Sequence, residues 1–338
     1  MHKRHVNIPL FIPHLGCPNN CIFCNQKKIS GKQDFDPLQA DEDIRSALAT
    51  VDPSSETEIA FFGGSFTGID RDLMLFLLQT ASRYVEDGRV SSIRLSTRPD
   101  YIDEEILDLL KKHHVTNIEL GIQSFSDPVL NACQRGHTAK DSERACRLIK
   151  AYGFSLTGQM MTALPASTPS DEIETAERMI SLGIDAARIY PLVVFADTPL
   201  CGMLQSGAYR PPEREEAIAR AGEVLDVLAK ASVPVIRIGL QQSDSLSDPS
   251  IAVGGYYSPA LGEEVMSYVY GKRLQEAVGE RDIRGKALVI ACPPGERSKV
   301  IGHKKSNADR LPSLYRASSL SFIEDPRLPL YTVGIDIR

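Results

Sequence analysis

Along the first two thirds of the chain, short runs rich in β-branched and aromatic residues alternate with longer amphipathic stretches. The runs at 6–12 (VNIPLFI), 57–63 (TEIAFFG), 91–97 (SSIRLST), 116–122 (TNIELGI), 154–161 (FSLTGQMM) and 186–193 (AARIYPLV) predict strands. The stretches at 37–51, 71–87, 103–114, 139–152 and 171–182 predict helices. Asp70, Asp103 and Ser170 are candidate N-caps, and Gly88, Gly153 and Gly183 stand where three helices should stop. The spacing suits parallel strands joined by crossover helices. Six such units fall short of the eight that close a barrel, so the expected fold is α/β, a partial (βα)6 TIM-like barrel with its chemistry at the carboxyl ends of the strands.

After residue 210 the pattern changes. "PPEREEAIARAGEVLDVLAKA" reads as a long amphipathic helix with proline at its start, 233–241 as a further strand and 258–276 as a helix. From there to the end come the strand "KALVIAC", the basic turn "GERSKVIGHKKSN" and the strand "LPLYTVGIDI". The expected organisation is a barrel over 1–210, a helical extension packing on it over 211–280, and a small α+β unit over 281–338. Apolar residues make up 42% of 338, enough for a sizeable core without staples. No stretch reads as a signal peptide or membrane span, which places the protein in the cytoplasm, away from membranes. The formal net charge of −6 argues against a general polyanion binder.

Seven cysteines are spread thinly, except for "GCPNNCIFCNQ", which puts Cys17, Cys21 and Cys24 on one loop directly after the first strand. In a reducing compartment such a cluster reads as metal binding or catalysis. Structural zinc wants four ligands, and His14 is the candidate fourth; a catalytic zinc takes three. An iron–sulfur cubane usually takes four thiolates. With three, one iron stays open to an outside ligand.

The C-x3-C-x2-C spacing, with aromatic Phe23 before the last cysteine, resembles the radical S-adenosylmethionine (radical SAM) superfamily. The resemblance implies a 4Fe–4S cluster on Cys17, Cys21 and Cys24 whose open iron chelates S-adenosylmethionine. It further implies reductive cleavage to a 5′-deoxyadenosyl radical that abstracts hydrogen from a substrate, and an external electron donor of flavodoxin or ferredoxin type.

Other motifs extend the likeness. "FFGGSFTG" offers Gly63 and Gly64, whose lack of a side chain allows close backbone approach to a ligand; many members have an acid where Ser65 stands. "LSTRPD" supplies the hydroxyls of Ser96 and Thr97 and resembles the radical SAM domain of the Elongator catalytic subunit. The alternative there is that Arg98 and Asp100 only cap the next helix. "GIQS" and "CQRGHT" place Gln123 and Arg135 where that subunit and the oxygen-independent coproporphyrinogen oxidases contact S-adenosylmethionine; the guanidinium fork suits its carboxylate. Gln159 stands where the coproporphyrinogen oxidases hold a ribose-binding acid, and the backbone around Val194 matches their adenine contact. Met160 and Met161 read either as adenine neighbours or as core, Cys133 and Cys146 as buried thiols, and Cys201 as either a buried thiol or a hydrogen-atom donor.

Two features favour an RNA substrate such as tRNA: the likeness to the Elongator subunit, which modifies wobble uridines, and the cations Arg297, Lys299, His303, Lys304 and Lys305. Against it stand the negative charge, the absence of tryptophan and only 7% aromatic residues. The acetyltransferase half of the Elongator subunit has no counterpart in this sequence, and the cysteine spacing is tighter. The readings are therefore a radical SAM enzyme acting on RNA or another nucleotide-containing substrate, one acting on a small metabolite, or a structural zinc protein.

Overall fold

The computed structural model describes residues 5–12, 15–17, 21–26, 35–242 and 244–338. Seven parallel strands curl into a half-barrel in the order β1 (His5–Ile12), β2 (Glu56–Gly63), β3 (Ser92–Thr97), β4 (Val115–Gln123), β5 (Ser155–Thr162), β6 (Ala186–Pro191) and β8 (Val235–Ile238). All six strands expected from the first two thirds are present. The further strand candidate at 233–241 joins the same sheet as its last member, paired in parallel with β6. The helices α1 (Ala40–Leu48), α2 (Arg71–Glu86), α3 (Glu104–Lys112), α5 (Ala139–Ala151) and α6 (Pro169–Ser181) form the crossovers.

One face of the sheet is apolar. Ile8, Leu10, Ile59, Phe61, Ile93, Leu95, Ile118 and Leu120 point from it into the helix layer and are buried. Each such side chain contributes about 1.5–3 kcal/mol by leaving water. The cap chemistry holds at Asp70, which accepts from the backbone of Asp72 and Leu73, and at Asp103, which accepts from Ile106. It shifts at α6. Thr168, not Ser170, is the N-cap there, in a reciprocal box with Asp171, and Pro169 takes the first helical position.

Between β6 and β8 lie the short β7 (Val194–Phe195), α7 (Pro199–Gln205) and α8 (Arg214–Lys230). The remaining elements are α9 (Asp244–Ser247), β9 (Ala252–Gly254), α10 (Leu261–Val278), β10 (Ala287–Cys292), α11 (Arg297–Ile301), α12 (Ser306–Tyr315), β11 (Ser319–Glu324) and β12 (Gly334–Ile337). β9 pairs antiparallel with β7, and β10 is the centre of a separate three-stranded sheet between β11 and β12. The basic stretch expected as a turn is mostly helical: α11, a 3-10 turn at His303–Lys305 and the start of α12.

Candidate active site

Cys17, Cys21 and Cys24 lie beyond the carboxyl end of β1, and residues 21–24 are held by one internal bond and two ties to other elements. Cys24 N donates to Cys21 O at 3.0 Å, Ile22 N to Cys133 O at 3.2 Å and Leu200 N to Ile22 O at 3.0 Å. Cys133 directly follows α4 (Asp127–Ala132), and Leu200 opens α7. Ile22 and Phe23, between two of the thiols, are buried against Val129, Leu164, Val194 and Leu200. The apolar pair thus anchors the loop while the cysteines flank it. His14 lies outside the described residues.

Gly63 and Gly64 end β2 beside the root of this loop. Gly64 N donates to Ile12 O at 2.7 Å and Ser65 N to Leu15 O at 3.1 Å. A Cβ on Gly64 would sit 2.0 Å from Leu15 O, and one on Gly63 2.6 Å from Ile12 O. Ile12 and Leu15, at the root of the cysteine loop, make a close backbone approach that only glycine allows here.

Ser96 and Thr97 are neighbours on β3 and point to opposite faces. Thr97 is buried with Ser65 and Thr67: its hydroxyl is 2.9 Å from Ser65 Oγ and 2.6 Å from Thr67 Oγ1. Ser65 Oγ also accepts from Arg98 N at 3.2 Å. These hydroxyls tie the turn after β2 to the end of β3. Ser96 is half-buried on the concave face, in register with Glu119.

At the end of β4 the register slips between Gly121 and Gln123, and Gln123 has φ = 67°. Left-handed backbone at a residue with a side chain is costly and recurs at functional sites. The slip turns the Gln123 amide toward Gln159 on β5, and the two amides exchange hydrogen bonds of 2.7 and 2.8 Å. Met160 is in the core, whereas Met161 packs on the apolar patch under the cysteine loop. Val194, also in that patch, lies on β7 in register with Gly254.

Arg135 reaches into the site from the turn after α4. Its Nη2 donates to Gly121 O at 2.8 Å and its Nη1 to Cys21 Sγ at 3.2 Å. Arg98, read from the sequence as a possible helix cap, instead lies beneath this group at 3% exposure. Its Nε and Nη2 grip Asp100 at 2.9 Å each, and Nη2 also donates to Arg135 O at 2.5 Å. Its Nη1 is buried with no hydrogen-bond partner. The cap of the next helix is Asp103. His137 is buried with Nε2 on Ile122 O at 3.3 Å. Burial, then the charges of Arg135 and Arg98, lower its pKa to about 3, so the ring is neutral at physiological pH.

Burial pushes the Cys24 thiol up to about 12, helped by Cys21 and Cys17, and burial raises Cys17 as well. Arg98 and Arg135 act in the opposite direction on Cys17. Among the described residues no three His, Cys, Asp or Glu side chains form a group suited to a single metal ion. Three thiols at one strand end, Cys21 buried and Cys17 and Cys24 partly so, with a guanidinium on one sulfur and an orphaned guanidinium nitrogen below, suit a sulfur-rich, negatively charged centre. Binding metal releases the thiol protons that burial otherwise retains.

A second polar system went unrecognised in the sequence. On the concave face His5 meets Glu58 at 2.7 Å, Glu58 meets Arg94 at 2.7 Å, Arg94 meets Glu119 at 3.1 Å and Glu119 meets Arg188 at 2.8 Å. Burial alone would raise the Glu58 pKa; the Ser92 hydroxyl, Arg94 and His5 more than reverse this and hold it below the usual range. The signal was present: Glu58, Arg94, Glu119 and Arg188 are charged residues inside the otherwise strand-like runs of β2, β3, β4 and β6.

A model of the radical SAM superfamily matches residues 11–179, and one of the radical SAM C-terminal domain matches residues 184–270. The tRNA uridine(34) acetyltransferase of Methanocaldococcus jannaschii is 28% identical over 75% of this chain and 53% of its own length. The enzyme of the same name from Methanocaldococcus infernus is 28% identical over 77% of this chain and 55% of its own. This chain thus spans about half the length of these two relatives. Among solved structures, Elp3 of Methanocaldococcus infernus, with an N-terminal deletion, superposes with a TM-score of 0.64 at 22% identity, covering 80% of this chain and 64% of that one.

Proposed function

Starting from the fact that the chain belongs to the radical S-adenosylmethionine superfamily, whose members use a 4Fe–4S cluster and S-adenosylmethionine, we propose that it is an enzyme that holds the cluster on Cys17, Cys21 and Cys24 and acts on a tRNA nucleoside. When bound, that cofactor pair supplies a 5′-deoxyadenosyl radical able to take hydrogen from an unactivated C–H bond. Electrons come from a flavodoxin- or ferredoxin-type donor, in the cytoplasm. The observation that carries the reading is the three-cysteine loop at the carboxyl end of β1 with Arg135 hydrogen-bonded to Cys21.

The chain's own groups divide the work. Ile22 and Phe23 pin the loop, and Gly63 and Gly64 let the end of β2 lie against its root. Arg135 donates to the Cys21 sulfur and is the candidate fork for the methionine carboxylate. Gln123 and Gln159 present paired amides at the strand ends, suited to ribose hydroxyls, and backbone around Val194 is the candidate adenine contact. Ser65, Ser96 and Thr97 complete the candidate set. The relatives named for acetylating tRNA uridine 34 support the substrate reading.

The test is anaerobic reconstitution followed by iron and sulfide analysis and S-adenosylmethionine cleavage, with the nucleosides of tRNA compared from cells with and without the gene. About four irons per chain, lost in Cys17→Ala, and a changed tRNA nucleoside are expected. Stoichiometric zinc without iron overturns the cofactor assignment. Cleavage with an unchanged nucleoside profile overturns the substrate and leaves a small-metabolite enzyme.

A further inference from the structure

The alternating chain of charges on the concave face ends without an acid. The register of β6 and β8 sets Arg188 beside Arg237 on the same face. Arg188 is paired with Glu119, but its Nε is buried with no partner. Arg237 has no carboxylate within ion-pair distance among the described residues. Among the described residues, then, Arg188 has one acid, Glu119, and its strand neighbour Arg237 has none.

Arg237 opens into a cleft of about 540 Å³. The end of β8 and the residues after it form one wall, with Gln241 and Gln242. The first turns of α10 form another, and Lys299 of α11 closes the third. Glu263 is the acid in the lining, and it is exposed. Lys299 pairs with Glu296 at 2.5 Å, which fixes its direction.

The segment after α11 is held against α10: His303 N donates to Ser267 Oγ at 2.9 Å, and His303 Nε2 lies 3.6 Å from Glu264. Arg297, Lys304 and Lys305, all exposed, lie within six residues of Lys299 in the chain. One cation of the stretch that read as an isolated basic turn, Lys299, thus lines the same cleft as Arg237.

We infer that this cleft and its rim are a phosphodiester-binding surface for the RNA substrate, with Arg237 gripping one backbone phosphate and Lys304 and Lys305 holding the strand beyond it. The inference deepens the tRNA reading above and rests on it. A planar fork on a rigid strand suits a phosphate that must be placed accurately, and ammonium groups on a rim suit less specific attraction. The overall charge of −6 is compatible, because the excess positive charge is local.

Fluorescence anisotropy of a labelled, unmodified tRNA transcript on the reconstituted protein, over a salt series, tests it. Arg237→Gln should weaken binding about tenfold at low salt and lower the slope of log affinity against log salt by about one; Lys304→Glu with Lys305→Glu should lower it by about two. Arg237→Lys should keep the slope, and thermal melts check that each variant is folded. If the wild type binds tRNA with a salt slope that Arg237→Gln and the rim variant leave unchanged, the surface is overturned while the tRNA reading stands. If the wild type does not bind tRNA, both fall. Binding of free UMP that needs Arg237, without tRNA binding, replaces RNA by a small nucleotide as the occupant.

Discussion

Arg135 and Arg98 show how much depends on single donors near the cysteines. Arg135 spends one nitrogen on Gly121 O and another on Cys21 Sγ, while Asp100 and the Arg135 carbonyl fix Arg98 beneath it. Hydrogen bonds to sulfur and nearby positive charge favour the reduced, more negative state of an iron–sulfur centre. Arg135→Met should therefore shift the midpoint potential of the reconstituted cluster to a more negative value, by tens of millivolts or about; an unchanged potential in anaerobic voltammetry would show that the bond to Cys21 does not persist in the loaded protein. The identity of Arg135 as a candidate was legible from "CQRGHT". That of Arg98 was not, because "TRPD" is equally good cap chemistry, and only burial to 3% exposure removes the cap reading.

Among elements, the junction of β1, β2 and β3 carries the site. Gly64 lies where any Cβ would meet Leu15 O at 2.0 Å, a backbone atom that cannot swing aside. Gly64→Ala should therefore displace the cysteine loop while leaving the sheet intact. The expected result is a large loss of iron per chain after reconstitution, with a thermal melt within a few degrees of wild type; full iron retention would refute the packing argument. The strands and crossover helices were legible because period-two and period-3.6 patterns are local. The helix starts were legible in part: Asp70 and Asp103 cap as expected, but a proline after Thr168 drew the start of α6 two residues earlier. The basic segment was misread as a turn because helices as short as Arg297–Ile301 have too few residues to show a period.

For the whole molecule, the concave face sets the constraint. A parallel half-barrel covered by helices on one side leaves the other face to bind or to solvate, and here it holds buried charges in alternating sign. Glu119 is the hinge of that system, since among the described residues it alone accepts from both Arg94 and Arg188. Glu119→Gln leaves two guanidiniums adjacent and half-satisfied, and should cost about 3–5 kcal/mol in urea unfolding. A change below about 1 kcal/mol would mean that water replaces the carboxylate at little cost.

By itself the sequence determined the α/β class, the order of strands, the three-cysteine loop and its position at the end of the first strand. All of these are written in residues close together in the chain. Tertiary structure alone decided what the glycines approach, which way Ser96 and Thr97 face, where Arg98 lies, and that Glu58, Arg94, Glu119 and Arg188 form one network. It also decided that Arg237 and Lys299 line one cleft. The reason is physical: pairing between strands and the packing of distant helices bring together residues tens to hundreds of positions apart. The sign of a charge says nothing of its partner until the register is set.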